Sequence, residues 1–150
     1  MKKLRRLGYE STIENMIKHV NDIAGIRLVC SFTSDIYRLA EMIGKQNDLT
    51  VVYVKDYIKR AKPNGYKSYH MLVTLPVFMS NSMMEVKVEI QIRTIAMDFW
   101  ASLEHKIHYK FEGNTPDSIY RELKECADII SMLDEKMLRL NTTVLELMEE

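Results

Sequence analysis

The chain has only two cysteines in 150 residues, which excludes a disulfide framework and a cysteine-ligated metal centre. Cys30 and Cys126 lie far apart within apolar patterns, as buried or free thiols of a reducing compartment do, so a cytoplasmic location is expected. No apolar run is long enough to span a bilayer, and no signal-peptide pattern opens the chain, so no membrane partner is expected. Net charge is also missing: 21 Lys and Arg balance 21 Asp and Glu. A chain without a basic surplus suits a nucleotide better than a long nucleic acid. Several chemical signatures are absent too. There is no phosphate-binding Gly-x-x-x-x-Gly-Lys-Ser/Thr loop, no His and Cys at metal-ligand spacing, and no Gly-x-Ser-x-Gly elbow.

What is present is an ordinary globular composition, 47% hydrophobic and 28% charged, in a length that suits one domain with a proper core. The balanced charge is unevenly spread. Residues 1–110 carry 17 basic against 11 acidic residues, and residues 111–150 carry 4 against 10. The basic surplus gathers at Lys2, Lys3, Arg5 and Arg6 and again at Lys55, Lys59, Arg60, Lys62 and Lys67.

Periodicity divides the chain into alternating elements. "MKKLRRLG" reads as a helix stopped by Gly8, and Ser11 or Thr12 can cap a second helix through "TIENMIKHV". "AGIRLVCSF" reads as a buried strand. Ser34 can cap a helix in which Ile36, Leu39, Ala40 and Ile43 share a face. "LTVVYVKDYI" is a second strand, and "KRAKPNGYKS" is a loop whose Gly65 is free to adopt positive φ. "YHMLVTLPVF" and "SMMEVKVEIQIRT" form a hairpin about Ser80 to Ser82, and a helix begins at Ile95 with Phe99, Leu103 and Ile107 at four-residue steps.

In the last strand Val86, Val88, Ile90 and Ile92 point one way and Glu85, Lys87, Glu89, Gln91 and Arg93 the other. The polar face serves either solvent or a substrate. Beyond residue 118, Ile119, Leu123, Cys126, Ile130, Leu133, Met137, Leu140, Val144 and Leu147 keep alternating steps of four and three, a heptad seam. That seam reads as helix-on-helix packing with part of it meeting another subunit, as a single amphipathic helix across the sheet, or as two helices broken near Asn141, Thr142 and Thr143. Its strict 3.5-residue period favours the first.

Two stretches carry chemistry. Asp22 of "NDIAGIR" stands at a strand start, and it can converge with Glu89 if their strands are neighbours. Two carboxylates together with nucleotide phosphates make the sparse oxygen shell that Mg²⁺ takes. Asp22 serves equally as a turn or cap residue. The loop "KPNGYKSYH" offers cations for phosphate and, in Tyr66, an aromatic face for a base or a packed turn residue. His70 either donates to a phosphate or is a satisfied strand residue.

"DIAGIRLV", "DYI…KPNGYKSYH", "VEIQIRT" and "AMDFWASLEHKIHYK", in that order and spacing, resemble the synthetase domain of the RelA/SpoT family. The likeness covers residues 1–110, and the helix of residues 111–150 resembles the oligomerising tail of the small alarmone synthetases. The resemblance implies an α/β fold of the nucleotidyltransferase kind: a mixed, partly antiparallel sheet of four or five strands flanked by helices, with a C-terminal helical extension. It implies a GTP pyrophosphokinase moving the β,γ-pyrophosphate of ATP to the 3′-oxygen of GDP or GTP, and so making (p)ppGpp. Asp22 and Glu89 would hold Mg²⁺, and Glu89 would also polarise or deprotonate the 3′-hydroxyl. Lys3 and Arg6 would meet the ATP phosphates, and Arg27 would stack on adenine. Tyr66 would stack on guanine, with Lys62, Lys67 and His70 around the acceptor phosphates. Asp98 would accept from guanine N1–H and N2–H₂, a pairing adenine cannot supply. Gln91, counted with the guanine side, and Arg93 either floor the site or partner the sheet edge.

Two departures from the family pattern stand out. Ala61 replaces the proline usual before the lysine of "KPNGY", which loosens the loop at most. The family's upstream Arg-x-Lys and Ser, which line the ATP site, are not found ahead of Met1, so an incomplete donor pocket and impaired donor binding are expected. Two rival functions remain at this level: a non-catalytic guanine-nucleotide-binding module, and a relative that pyrophosphorylates a tRNA 3′ end. The expected partners are ATP, GDP or GTP and further copies of the chain, as a dimer or tetramer.

Overall fold

The computed structural model describes residues 5, 8–10, 12, 15, 24–111 and 114–149. Its elements run β1 (Ala24–Cys30), α1 (Thr33–Gly44), β2 (Thr50–Asp56), β3 (Tyr69–Phe78), β4 (Met83–Thr94), α2 (Ile95–Lys110) and α3 (Asp117–Glu149). The four strands make one sheet in the order β1-β4-β3-β2. β1 runs parallel to β4, and the other two pairings are antiparallel. The mixed α/β architecture that the resemblance implies is therefore present, with four strands among the described residues. Among the described residues no helix is long and apolar enough to cross a membrane.

The alternation in β4 does what period two dictates. Val88, Ile90 and Ile92 enter the core with Met71 and Val73 of β3, under Ile36 and Ala40 of α1. Ile36 and Ile92 are fully buried. Leu39 and Ile43 complete the apolar face of α1, as the helical spacing requires. The hairpin between β3 and β4 closes through the Met79 N–H donating to the Ser82 carbonyl at 2.8 Å.

Three local readings change. α1 starts at Thr33, one residue before Ser34, and the Asp35 carboxylate accepts the Phe32 N–H at 3.2 Å in place of a Ser34 cap. β1 is a half-exposed strand, because it pairs with β4 alone at the sheet edge; Ile26 and Val29 are each 50% exposed. Phe99 and Leu103 face outward, while Met97, Trp100 and Ala101 form the buried side of α2. In the N-terminal stretch the Thr12 hydroxyl accepts the Asn15 N–H at 3.2 Å, the bond a capping side chain makes, and Gly8 has φ of +79°; Ser11 lies outside the described residues. The remainder of the two helices expected there lies outside the described residues.

α3 is one unbroken helix of 33 residues, about 50 Å long at 1.5 Å per residue. Its inner side is offset from the heptad seam. Leu123, Ala127, Ile130 and Asp134 face the domain, with Ala127 and Asp134 buried. Ala127 packs with Trp100 and Ala101, and the Trp100 indole N–H donates to the Leu123 carbonyl at 2.9 Å. From Leu133 onward the seam lies beside that inner line. Leu133, Met137, Leu140, Val144 and Leu147 are each half or more exposed, and Cys126 is exposed too. The small residue at 127 lets α3 approach Trp100, Ala101 and the turn at Gly65 closely.

Candidate active site

Strand register assembles the site. Glu89 stands beside Gly25 of β1 and Leu72 of β3, and Gln91 stands between Arg27 and His70. Directly paired residues share a face. One polar floor therefore carries Arg27, Glu89, Gln91, Arg93 and His70, on the side of the sheet away from α1.

The side chains of the floor form a continuous network. His70 Nδ1 lies 3.1 Å from Glu89 Oε1, and its Nε2 lies 2.9 Å from the Tyr66 hydroxyl. Gln91 donates to Glu89 Oε2 at 3.3 Å. Arg93, with a side chain only 6% exposed, joins the rest. Its Nε donates to the Ser68 hydroxyl at 3.3 Å and Nη1 to Asp98 Oδ1 at 3.0 Å. Its Nη2 donates to the Tyr66 hydroxyl at 2.7 Å and to Gln91 Oε1 at 2.8 Å. Burial pushes the His70 imidazole below its usual value; Glu89 opposes this, and the Arg93 and Lys62 charges add to it.

The loop above the floor is shaped by its turn residues. Gly65 has φ of +88°, which a side chain rarely adopts, and its N–H donates to the Lys62 carbonyl at 2.8 Å. The Asn64 side chain accepts the Tyr66 N–H at 3.1 Å and donates to Glu104 of α2 at 3.2 Å. Tyr66 is thereby held over His70, with the Lys62 ammonium 4.7 Å from its ring centre. At the other side of the floor, Arg27 lies 3.3 Å from Asp98 Oδ1. Thr94 caps α2 by accepting the Met97 N–H at 3.1 Å, and its own hydroxyl donates to buried Asp134 of α3.

Two open clefts meet at Arg27. One of about 310 Å³ is lined by Gly25, Ile26, Arg27, Glu89 and Gln91. The other, about 360 Å³, lies between Arg27, Tyr66 and Arg93 and the α2 residues Ser102, Glu104, His105 and Lys106. Each volume suits one nucleotide-sized ligand.

The structure thus brings Arg27, Lys62, Tyr66, His70, Glu89, Gln91 and Asp98 together. It does not bring Lys67 to this network. Lys67 lines a gap among Gly65, Trp100, Ala127 and Asp134, where its charge acts on the Asp134 carboxyl. The expectation that Lys67 meets acceptor phosphates thus finds the residue turned toward α3, whose buried carboxylate attracts the ammonium. Arg27 and Asp98, assigned to different nucleotides, form one ion pair. Lys3, Arg6 and Asp22 lie outside the described residues. Gln91 and Arg93 belong to the floor. The central place of Arg93 was not read from sequence, although it keeps the i+2 and i+4 spacing to Gln91 and Glu89. Asn64 and Ser68 were missed although both lie within "KPNGYKSYH", because the motif shows no partner for either, and Asp134 was missed because no motif links the C-terminal helix to the floor.

Residues 1–114 match the family described as the region found in RelA / SpoT proteins. The chain is 53% identical over 142 residues to GTP pyrophosphokinase YwaC of Bacillus subtilis, covering 95% of this chain and 68% of YwaC. It is 42% identical over 130 residues to GTP pyrophosphokinase YjbM of the same organism, covering 87% of this chain and 62% of YjbM. The chain therefore spans about two thirds of the length of these relatives. The crystal structure of small alarmone synthetase 1 from Bacillus subtilis bound to its product pppGpp superposes with a TM-score of 0.86 at 40% identity. That match covers 95% of this chain and 72% of the other.

Proposed function

Because this chain belongs to the RelA/SpoT family, we propose that it is a GTP pyrophosphokinase of the alarmone-synthetase type. It transfers the β,γ-pyrophosphate of ATP to the 3′-oxygen of GDP or GTP, making (p)ppGpp and releasing AMP in the cytoplasm. The observation that carries the reading is the pair of clefts meeting at Arg27, one floored by Glu89 and the other walled by Tyr66. Two nucleotides held side by side convert a bimolecular encounter into a positioned transfer.

In this reading Glu89 faces the acceptor's 3′-hydroxyl and takes its proton as the oxygen attacks. Its two oxygens each accept one hydrogen bond, which leaves lone pairs on both for a proton or a metal. Tyr66 stacks on guanine, Asp98 accepts from the guanine edge, and Arg27 covers adenine. Lys62 supplies charge for the acceptor phosphates, and Lys3 and Arg6 for those of ATP.

The Glu89 carboxylate, which keeps lone pairs on both oxygens, fits magnesium. Among the described residues no group of three or more His, Cys, Asp or Glu could hold a metal. A hard cation that takes few protein oxygens and completes its shell from substrate phosphates is what such a site suits. Glu89 and Asp22 would hold it, and when bound it neutralises charge gathering on the transferred pyrophosphate. Self-association belongs to the same proposal, through the exposed seam from Leu133 to Leu147 on α3.

Incubation with labelled ATP and GDP tests the reading directly. Labelled ppGpp and AMP are expected, and Glu89→Ala should lower transfer by about 10²–10⁴-fold with the circular dichroism of the wild type. Transfer within several-fold of wild type in a folded Glu89→Ala protein would remove Glu89 from the chemistry.

A further inference from the structure

His70 has no nitrogen left for a phosphate. Its side chain is 10% exposed, and both ring nitrogens are engaged within the protein. The hydrogens can be placed by elimination. Arg93 can only donate, so the Tyr66 hydroxyl accepts from it, and its own hydrogen goes to His70 Nε2 when the neutral ring carries its hydrogen on Nδ1. An ionised Glu89 can only accept, so Nδ1 carries the ring hydrogen and donates to Oε1. The arrangement is satisfied by one neutral tautomer, and it runs Arg93 to Tyr66 to His70 to Glu89 without a break.

We propose that His70 is a positioning residue that ties the carboxylate at the 3′-hydroxyl to the ring that stacks on the base. This deepens the function proposed above and rests on it for the roles of Glu89 and Tyr66. The two ends of the acceptor nucleoside that need fixing are its base and its 3′-oxygen. Tyr66 meets one and Glu89 the other, and the imidazole between them sets their separation. His70 does so from β3, a central strand, while Tyr66 sits on a loop. A rigid strand residue thereby passes its position to a loop side chain. Tyr57 packs edge-on against the imidazole, with ring centres 5.2 Å apart, and closes the flank not used for hydrogen bonding.

Substitutions that keep one end of the strut separate its two functions. The amide N–H₂ of His70→Asn stands where Nδ1–H stood and keeps the bond to Glu89, while the bond to Tyr66 is lost. His70→Gln places its amide near Nε2 and does the reverse. Asn is expected to hold kcat within several-fold and raise the GDP KM about tenfold. Gln is expected to lower kcat by about 10–100-fold, the usual loss when the partner orienting a metal-binding carboxylate is removed. Binding of GMP, GDP and GTP to His70→Ala, followed by calorimetry, gives a readout independent of turnover. All three should weaken by one common factor, since the strut acts on nucleoside and not on phosphate.

A loss that grows with each added phosphate would make His70 a phosphate ligand and overturn the proposal. So would an Nε2–H tautomer in the ¹⁵N spectrum of the wild-type imidazole. If Tyr66→Ala leaves GDP binding unchanged, the underlying reading fails. If Tyr66→Ala weakens GDP and no His70 variant does, the strut alone fails.

Discussion

A methyl group placed on Gly65 would stand 2.4 Å from the Cβ of Ala127, far inside contact distance. The loop that presents Tyr66 therefore rests on α3, and the long helix is part of the candidate site's foundation. Gly65 also has a φ of +88°. Gly65→Ala should cost about 1–3 kcal/mol from the clash and the strained backbone. It should weaken GDP binding more than ATP binding, because the displaced loop carries Tyr66, the ring proposed to stack on guanine. Urea denaturation and nucleotide titrations check both expectations. Unchanged GDP affinity would separate the loop from acceptor binding.

Arg93 is a buried cation that donates to four different side chains through its fork. Lysine keeps the charge but cannot reach the same acceptors. Arg93→Lys should destabilise the fold by about 1.5–3 kcal/mol, the range for losing a hydrogen bond to a charged group. A lower denaturation midpoint, together with weaker acceptor binding, is the expected result.

Base choice is assigned to Asp98 and Tyr66. Tyr66→Ala should weaken GDP binding by about 1–3 kcal/mol, as loss of one base–aromatic stack does. Asp98→Asn turns an amide donor toward guanine's N–H groups, so it should relax the preference for GDP over ADP. Competition between the two diphosphates measures it. Discrimination equal to wild type would leave Asp98 as the partner of Arg27 and Arg93 only.

Asp134 is a carboxyl held above its usual 3.8, first because burial disfavours its charge; the Thr94 hydroxyl and Lys67 pull the other way. The folded chain binds this proton more tightly than the unfolded one. The group therefore favours folding fully below 3.8, and that contribution fades as pH rises through the raised value. Asp134→Asn keeps an oxygen for Thr94 and removes the buried charge. It should gain about 0.5–1 kcal/mol at pH 7, and the gain should disappear in acid. Denaturation of both proteins across the acidic range gives the comparison.

Self-association is expected through the outer stripe of α3. Ile130 packs on the Trp100 cluster and is the wrong residue to probe it, whereas Met137 and Leu140 are about half exposed. Met137→Glu with Leu140→Glu should leave the fold intact and dissociate the oligomer, because charge would be buried without a partner. Sedimentation across micromolar concentrations reads the outcome. A wild-type chain that stays monomeric there would mean the stripe meets no second copy.

The sequence by itself determined the strands, the hairpin, the loop turn and the polar face of β4, because each is written in local periodicity or turn chemistry. Val86 to Arg93 alternate wherever the strand is placed, and Gly65 marks its turn in any fold. The motifs also named Glu89, Tyr66, His70 and Asp98 before any of them had a neighbour. Only the tertiary structure decided how these groups are used. Parallel pairing of β1 with β4 put Arg27 beside Gln91, and the end of β4 brought Asp98 to Arg27. Antiparallel pairing of β3 put His70 between Tyr66 and Glu89. The rotation of α3 sent Ala127 inward and Leu133 to Leu147 outward, against a seam read as one continuous line. These outcomes depend on contacts between residues far apart in the chain, where side-chain size and buried charge choose among packings that local patterns leave equal.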